Sequence, residues 1–256
     1  MTDIYSMPNF AVYVLHTGEK ILGDGANVPF PCVIADEDQF LYKDYRYTYH
    51  KSINGWHVEA MLKTQQYYCE ILEEIAGRPV LSMNETFKDC TVLVESPKIP
   101  SAVNDMRGTF SGCCALKKAE IGHNVLDISR CFEKCSLLET APEIPLGVRS
   151  INSAFAFCSN LYQTPDLSEH IEIIFMDNAF EGCIGLTKGP DIYKCMYLKS
   201  MKETFKGCIN MEHASALPRT VENACGTFQD CTSLKERPSI PMSAQVDENT
   251  FLGCIV

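Results

Sequence analysis

The sequence predicts a curved solenoid of about eight coils with short parallel strands, entered through an α+β cap at its N-terminus. Three observations predict it. The pattern Phe-x-x-Cys recurs eight times at near-constant spacing through the last two thirds of the chain. Further apolar columns keep step with those pairs. The first 79 residues break the pattern and carry hairpin and helix signals instead.

Residues 1–39 read as a strand-rich extension. The stretch NFAVYVL from Asn9 is β-rich, and Thr17-Gly18 follows as a turn. Residues 40–79 read as an N-terminal cap. Tyr42, Tyr45, Tyr47 and Tyr49 alternate with polar residues, Asn54-Gly55 is a hairpin turn signal, and Trp56, Val58 and Ala60 alternate after it. This predicts a hairpin over about residues 40–61. The next stretch, KTQQYYCEILEEIAG, places Tyr68, Ile71, Leu72 and Ile75 at helical spacing, with Thr64 as N-cap and Gly77 and Pro79 as stops. The spacing predicts a helix that covers the open end of the solenoid core, because a stack of coils needs its terminal apolar face hidden.

Residues 80–256 are the solenoid. The pairs are Phe87/Cys90, Phe110/Cys113, Phe132/Cys135, Phe155/Cys158, Phe180/Cys183, Phe205/Cys208, Phe228/Cys231 and Phe251/Cys254, with successive Phe residues 23, 22, 23, 25, 25, 23 and 23 apart. Four residues before the Phe stand Met83, Met106, Ile128, Ile151, Met176, Met201 and Ala224, and three after the Cys stand Leu93, Leu116, Leu138, Leu161, Leu186, Met211 and Leu234. Proline comes seven after the Cys at Pro97, Pro142, Pro165, Pro190 and Pro238, and an aliphatic residue two later at Ile99, Ile144, Leu167, Ile192, Leu217 and Ile240. Counting four further forward gives Val103, Leu126, Val148, Ile171, Met196 and Val221 as a last apolar column. One unit of about 23 residues cannot bury its own apolar side, whereas stacked units share one core. The period is too short for a pair of helices and falls in the leucine-rich-repeat range. The prolines exclude a helix there and suit the margin of a strand only a few residues long.

The consensus Met-x-x-Thr-Phe-x-Gly-Cys-x-x-Leu-x-x-x-Pro-x-Ile-Pro, seen in MNETFKDCTVLVESPKIP, MKETFKGCINMEHASALP and GTFQDCTSLKERPSIP, resembles the BspA-like class of bacterial leucine-rich repeats. The resemblance covers residues 80–256. It implies a leucine-rich-repeat solenoid used as an adhesion or recognition surface, on bacterial surfaces or in phage-encoded proteins, with no catalysis and no cofactor.

The 14 cysteines invite disulfide or zinc readings. Eight belong to the repeat column, where a buried thiol acts as a small hydrophobe and a parallel ladder does not aim thiols at one another. Of the remaining six, Cys32, Cys69, Cys114, Cys131, Cys195 and Cys225, Cys131 takes the place of the usual Thr beside a core Phe. The zinc spacings Cys113-Cys114 and Cys131-x-x-x-Cys135 lose their force once the repeat claims those residues. Many free thiols favour a reducing environment, a cytoplasm or an anaerobe's surroundings.

Composition narrows function further. The chain has 256 residues, 46% of them hydrophobic, and a net charge of −11 from 33 acidic and 22 basic residues. That balance argues against a surface tracking nucleic-acid phosphates. No apolar run is long enough to span a bilayer, and the first residues lack a signal-peptide pattern. Three origins stay open: a protein kept inside a cell, one released within a virus particle, or a trimmed chain. The six histidines, His16, His50, His57, His123, His170 and His213, show no metal spacing, and no phosphate loop or GxGxxG occurs.

Binding residues are therefore sought on the outward face. Positions five and eight after each column Cys form a polar stripe: Glu95, Lys98, Lys118, Glu143, Gln163, Asp166, Lys188, Asp191, His213 and Glu236, with Ile121 at the eighth position of its repeat. Two functions fit. One is a non-catalytic module that recognises a protein partner, in adhesion or on a phage or bacterial surface. The other is an acidic intracellular inhibitor that occludes a basic host protein such as a nucleic-acid-binding enzyme. The last repeat ends at Val256 without a capping signal, so that edge either pairs with another copy, is covered by the extension or another chain, or continues in the natural protein.

Overall fold

The computed structural model describes residues 11–14, 20–23, 32–36, 39–75 and 77–256. Strand β1 (Ala11–Val14) pairs antiparallel with β2 (Lys20–Gly23). The expected turn at Thr17-Gly18 lies outside the described residues. A second sheet contains β3 (Cys32–Asp36), β4 (Gln39–Tyr42), β5 (Tyr45–His50), β6 (Gly55–Ala60), β7 (Glu74–Ile75) and β8 (Arg78–Ser82), in the order β3-β4-β5-β6-β8-β7. The first four strands form an antiparallel meander. Tyr42 and Tyr45 pair across a tight turn in which Lys43 takes φ 51°, and Asn54 takes φ 51° in the loop between β5 and β6. Gly55 follows because an added Cβ would lie 2.6 Å from Leu81 Cδ1.

The sheet changes sense at its far side. β6 pairs parallel with β8 through Trp56↔Val80 and His57↔Ser82. Ser82 then starts a ladder of parallel bridges, Ser82↔Asp105↔Asp127↔Ser150↔Phe175↔Ser200↔Asn223↔Gln245, that runs the length of the solenoid. The sheet is thus joined to the coils through shared backbone pairing. Its tyrosines serve as lid: Tyr42, Tyr45, Tyr47 and Tyr49 are all buried, and Tyr45 and Tyr68 set their rings 6.1 and 4.9 Å from that of Phe87.

The helix expected over residues 63–77 is absent, and no helix occurs among the described residues. Its backbone is claimed by tertiary partners. Asp44 Oδ2 accepts from the Cys69 amide at 3.2 Å, Tyr45 Oη donates to the Cys69 carbonyl at 2.6 Å, and Tyr47 Oη accepts from the Leu72 amide at 3.1 Å. The Gln66 carbonyl accepts from Val94 of the first coil at 3.1 Å, and the indole of Trp56 donates to the Ile75 carbonyl at 3.1 Å. Gly77 (φ 73°) lies between paired Ile75 and Arg78 instead of stopping a helix. Ile71 and Ile75 are buried as the pattern required, but from an irregular segment and a two-residue strand. Helical spacing without helical hydrogen bonding is what tertiary packing can impose on a segment this short.

In the coils, eight phenylalanine rings from Phe87 to Phe251 stack in one column, with centroids 5.4 to 5.7 Å apart and planes within 5 to 15° of parallel. Around each ring the chain forms overlapping turns. In the first seven repeats the residues two before and two after the Phe adopt positive φ, as in Glu85/Asp89, Gly108/Gly112, Arg130/Lys134 and Asn178/Gly182. This alternation aims every second N–H at the next coil: Met83, Glu85, Phe87 and Asp89 donate to Asp105, Arg107, Thr109 and Ser111 carbonyls at 2.7 to 2.9 Å. The same direction holds in each repeat that follows, as in Phe155 to Ala179 and Phe205 to Thr227. The first coil's outward carbonyls are met by the cap, Thr86 by the Ala60 amide at 3.1 Å and Lys88 by the Lys63 ammonium at 2.7 Å.

The column cysteines are more than filler. Cys113, Cys135, Cys158, Cys183, Cys208, Cys231 and Cys254 each donate a thiol hydrogen bond, 3.0 to 3.2 Å long, to the Phe carbonyl of the preceding repeat. Burial pushes the thiols of Cys158 and Cys208 up to about 12.

One apolar column needs correction. Val103, Val148 and Val221 are buried, but Leu126, Ile171 and Met196 are 47, 44 and 66% exposed. The core positions in those repeats are Val125, Ile173 and Leu198. Counting forward fails because the repeat lengths vary in the return segment. Counting back three residues from the next Met, Ile or Ala of the column four before the Phe finds every member.

Candidate functional site

The stripe residues at the fifth position after the column Cys lie on a second ladder of parallel bridges, Glu95↔Lys118, Thr140↔Gln163 and Lys188↔His213. Backbone pairing there leaves their side chains outward. Glu95, Lys98, Lys118, Glu143, Gln163, Asp166, Lys188, Asp191, His213 and Glu236 are all exposed. Ile121 is not: it is 8% exposed and occupies the buried Ile99–Ile144 column, because its repeat is one residue short.

Two adjoining grooves gather five of these ten. The larger, about 620 Å³, is lined by His123, Glu143, Ile144, Pro145, Leu146, Gly147, Asp166, Ser168, Glu169 and His170. The smaller, about 290 Å³, is lined by Tyr162, Gln163, Thr164, Pro165, Asp166, Lys188, Gly189, Pro190 and Asp191. Asp166 belongs to both. The other five stripe residues line neither groove. Glu95 and Lys118 form an ion pair at 3.0 Å, Lys98 reaches Glu73 at 3.5 Å, and His213 sits 4.0 Å from Glu212.

The larger groove owes its shape to repeat length. The repeat of Phe155 has two extra residues in its return segment, and they put His170 under the surface while Ile171 and Glu172 loop outward. Asp166 organises the start of that loop by accepting from the Ser168 amide at 2.9 Å, and this bond holds its carboxyl below the usual range. Glu169 is ion-paired with Lys194 of the next coil. His170 is 5% exposed, with Nε2 2.8 Å from the Ile144 carbonyl. A carbonyl only accepts, so Nε2 carries a proton and donates it to Ile144, which leaves Nδ1 as the ring atom still to be bonded. That nitrogen is buried without a partner, which costs about 1–3 kcal/mol. Tyr162, 56% exposed, supplies a flat aromatic face beside the smaller groove.

Tyr162, Leu146, Glu169 and His170 escaped a reading based on two repeat columns. The signal available for three of them was length: insertions in a repeat array collect on one face, often the binding face. Among the described residues no three His, Cys, Asp or Glu side chains converge on a metal position. Among the described residues no helix is long and apolar enough to cross a membrane.

Residues 83–187 and 153–256 match the BspA type leucine rich repeat region, in six copies. The chain belongs to the BspA-type leucine-rich repeat family. As a solved structure, the T. pallidum leucine-rich repeat protein is similar with a TM-score of 0.60 at 22% identity, over 75% of this chain and 88% of that one. A leucine-rich repeat protein from Bacteroides ovatus aligns over 84% of this chain and 92% of its own at 18% identity, with a TM-score of 0.38. No curated protein matches the BspA-type chain in sequence. Repeats of this family generally serve as protein-interaction or surface modules and are typically non-catalytic.

Proposed function

We propose that this chain is a non-catalytic recognition module that binds a protein partner through the exposed stripe, centred on the two grooves that meet at Asp166. The observation that carries the reading is the convergence of Glu143, Gln163, Asp166, Lys188 and Asp191 around adjoining concavities on a scaffold whose coils are hydrogen-bonded to one another throughout. A rigid array that presents polar side chains at fixed spacing loses little entropy on binding. Adhesion or surface recognition is the setting we favour, with the thiol ladder kept reduced so that each thiol can donate to its carbonyl.

The test is charge reversal. The triple variant Glu143→Lys, Asp166→Lys, Asp191→Lys alters exposed side chains but gives up the bonds that Asp166 and Asp191 accept from the Ser168 and Tyr193 amides, so it should fold and melt slightly below the parent. A partner captured from host lysate with the parent chain and identified by mass spectrometry should bind the variant at least about tenfold more weakly. Undiminished affinity would remove the grooves from the binding surface.

A further inference from the structure

We infer that the larger groove seats a cationic side chain, an arginine or a lysine, carried by an exposed segment of the partner protein. This rests on the reading of the chain as a protein-recognition module and adds the chemistry that it recognises.

Charge is the first ground. Glu143, Asp166 and Glu169 all line the groove, and no Lys or Arg does. Lys194 offsets Glu169 from the neighbouring coil, but Glu143 and Asp166 have no ion-pair partner among the described residues. The hydrogen bond from the Ser168 amide holds the Asp166 carboxyl below its ordinary value. The second ground is independent of the carboxylates. His170 lines the same groove, is 5% exposed, and has an unpartnered Nδ1. With Nε2–H committed to the Ile144 carbonyl, that nitrogen waits for a donor. Guanidinium and ammonium groups have donors and no acceptor, so one group satisfies both the carboxylates and the imidazole. A phosphate or carboxylate would face the like charges of Glu143 and Asp166. The third ground is shape. Ile144, Pro145 and Leu146 give the groove an apolar wall against which the methylene stem of Arg or Lys can lie while its head meets the carboxylates. A bare metal ion fits poorly, since no three ligating side chains converge.

The test titrates the full ¹⁵N-labelled chain with four probes: an acetylated triarginine amide, its tricitrulline isostere, a triglutamate peptide and a neutral oligosaccharide. Affinities come from calorimetry, and the ring nitrogens of His170 are followed by NMR. The triarginine peptide should bind about tenfold more tightly than tricitrulline and shift the His170 nitrogens. The double variant Glu143→Gln, Asp166→Asn, in which Asn keeps an oxygen for the Ser168 amide, should weaken it about tenfold. Glu248→Gln, which removes an exposed carboxylate outside both the stripe and the groove, should leave it unchanged. Equal binding of tricitrulline, tighter binding of the oligosaccharide, or triarginine binding that ignores both the double variant and His170 would overturn the inference. Failure of triarginine to bind, with the partner still lost in the charge-reversal variant, overturns the inference alone. Retention of the partner by that variant overturns the recognition surface beneath it.

Discussion

Phe155→Ala should be among the most damaging single truncations in the solenoid. The ring is fully buried and lies between Phe132 at 5.4 Å and Phe180 at 5.6 Å, so its removal deletes two stacked contacts as well as the buried surface. The gap cannot easily close. Backbone bonds of 2.8 and 2.9 Å, from Phe132 to Ala154 and from Phe155 to Ala179, hold the coils on both sides at fixed spacing. An aromatic truncation that leaves a rigid cavity costs about 3–5 kcal/mol, and this site belongs at the upper end. Phe251→Ala is the internal control. That ring is only partly buried, with one stacked neighbour, Phe228 at 5.5 Å, and the Arg237 guanidinium 5.0 Å from its centroid. It should cost about half as much. Urea unfolding followed by circular dichroism gives both values. Because each coil touches only its neighbours, the Phe155 variant should also unfold in two steps, with hydrogen exchange rising first in the coils on one side of the gap. Equal costs at the two positions, or one cooperative transition with uniform exchange, would refute the picture of a continuous ring column as the spine of stability.

Other consequences follow from the same architecture. Gly207→Ala meets no atom nearer than 3.7 Å but keeps φ at +73°, so it should cost about 1–2 kcal/mol in chemical denaturation, the penalty of left-handed backbone alone. Gly185→Ala, whose new Cβ would fall 2.8 Å from the Leu161 carbonyl oxygen, has to move backbone and should cost more than Gly207→Ala, about 2–3 kcal/mol. Lys63→Met should strip the Lys88 carbonyl of its partner and cost about 1 kcal/mol, with faster amide exchange confined to the first coil. For pH, burial pushes the thiols of Cys158, Cys195 and Cys208 up to about 12. An unfolded thiol ionises near pH ~8.5, so their contribution is intact below that value and declines as pH rises towards the folded value. The urea midpoint should therefore fall steeply above pH ~9, and a midpoint flat to pH ~10.5 would contradict the buried thiol ladder. A thiol reagent at pH ~8 should modify exposed Cys69 and Cys114 in the native protein and reach the buried column thiols from Cys90 to Cys231 only on unfolding.

The repeat was legible because each column has a single physical demand. Phe stacks on Phe, and a small or hydroxyl-bearing residue before it packs without a gap, as Thr109 does while donating to the Met83 carbonyl at 2.8 Å. Periodicity reports such demands directly. It misled where a local pattern had two solutions. Tyr68, Ile71, Leu72 and Ile75 have helical spacing, but Asp44, Tyr45, Tyr47 and Trp56 offered that backbone other partners, and these are invisible in a linear reading. It misled again where repeat length changed, moving Ile121 inward and Leu126, Ile171 and Met196 outward. The stripe residues are exposed, yet the larger groove among them depends on two inserted residues and on where His170 goes once they are present. Thiol hydrogen bonds were also hidden: a Cys column looks apolar until the Phe carbonyl behind it is seen.

The one-way pointing of amides around the phenylalanine column has a consequence for how such a protein changes over time. Around that column every coil donates forward, and elsewhere in each coil other amides donate backward, as Arg149 does to Leu126, in a pattern that recurs from coil to coil, so the upper side of any coil complements the lower side of any other. A unit of 22 to 25 residues can then be duplicated, excised or moved as a cassette with its backbone bonding already solved. What alters is the neighbourhood of surface side chains. Two extra residues in one cassette carry a concavity with them wherever they go, and copy number becomes a means of redrawing the binding face while the spine stays as it was.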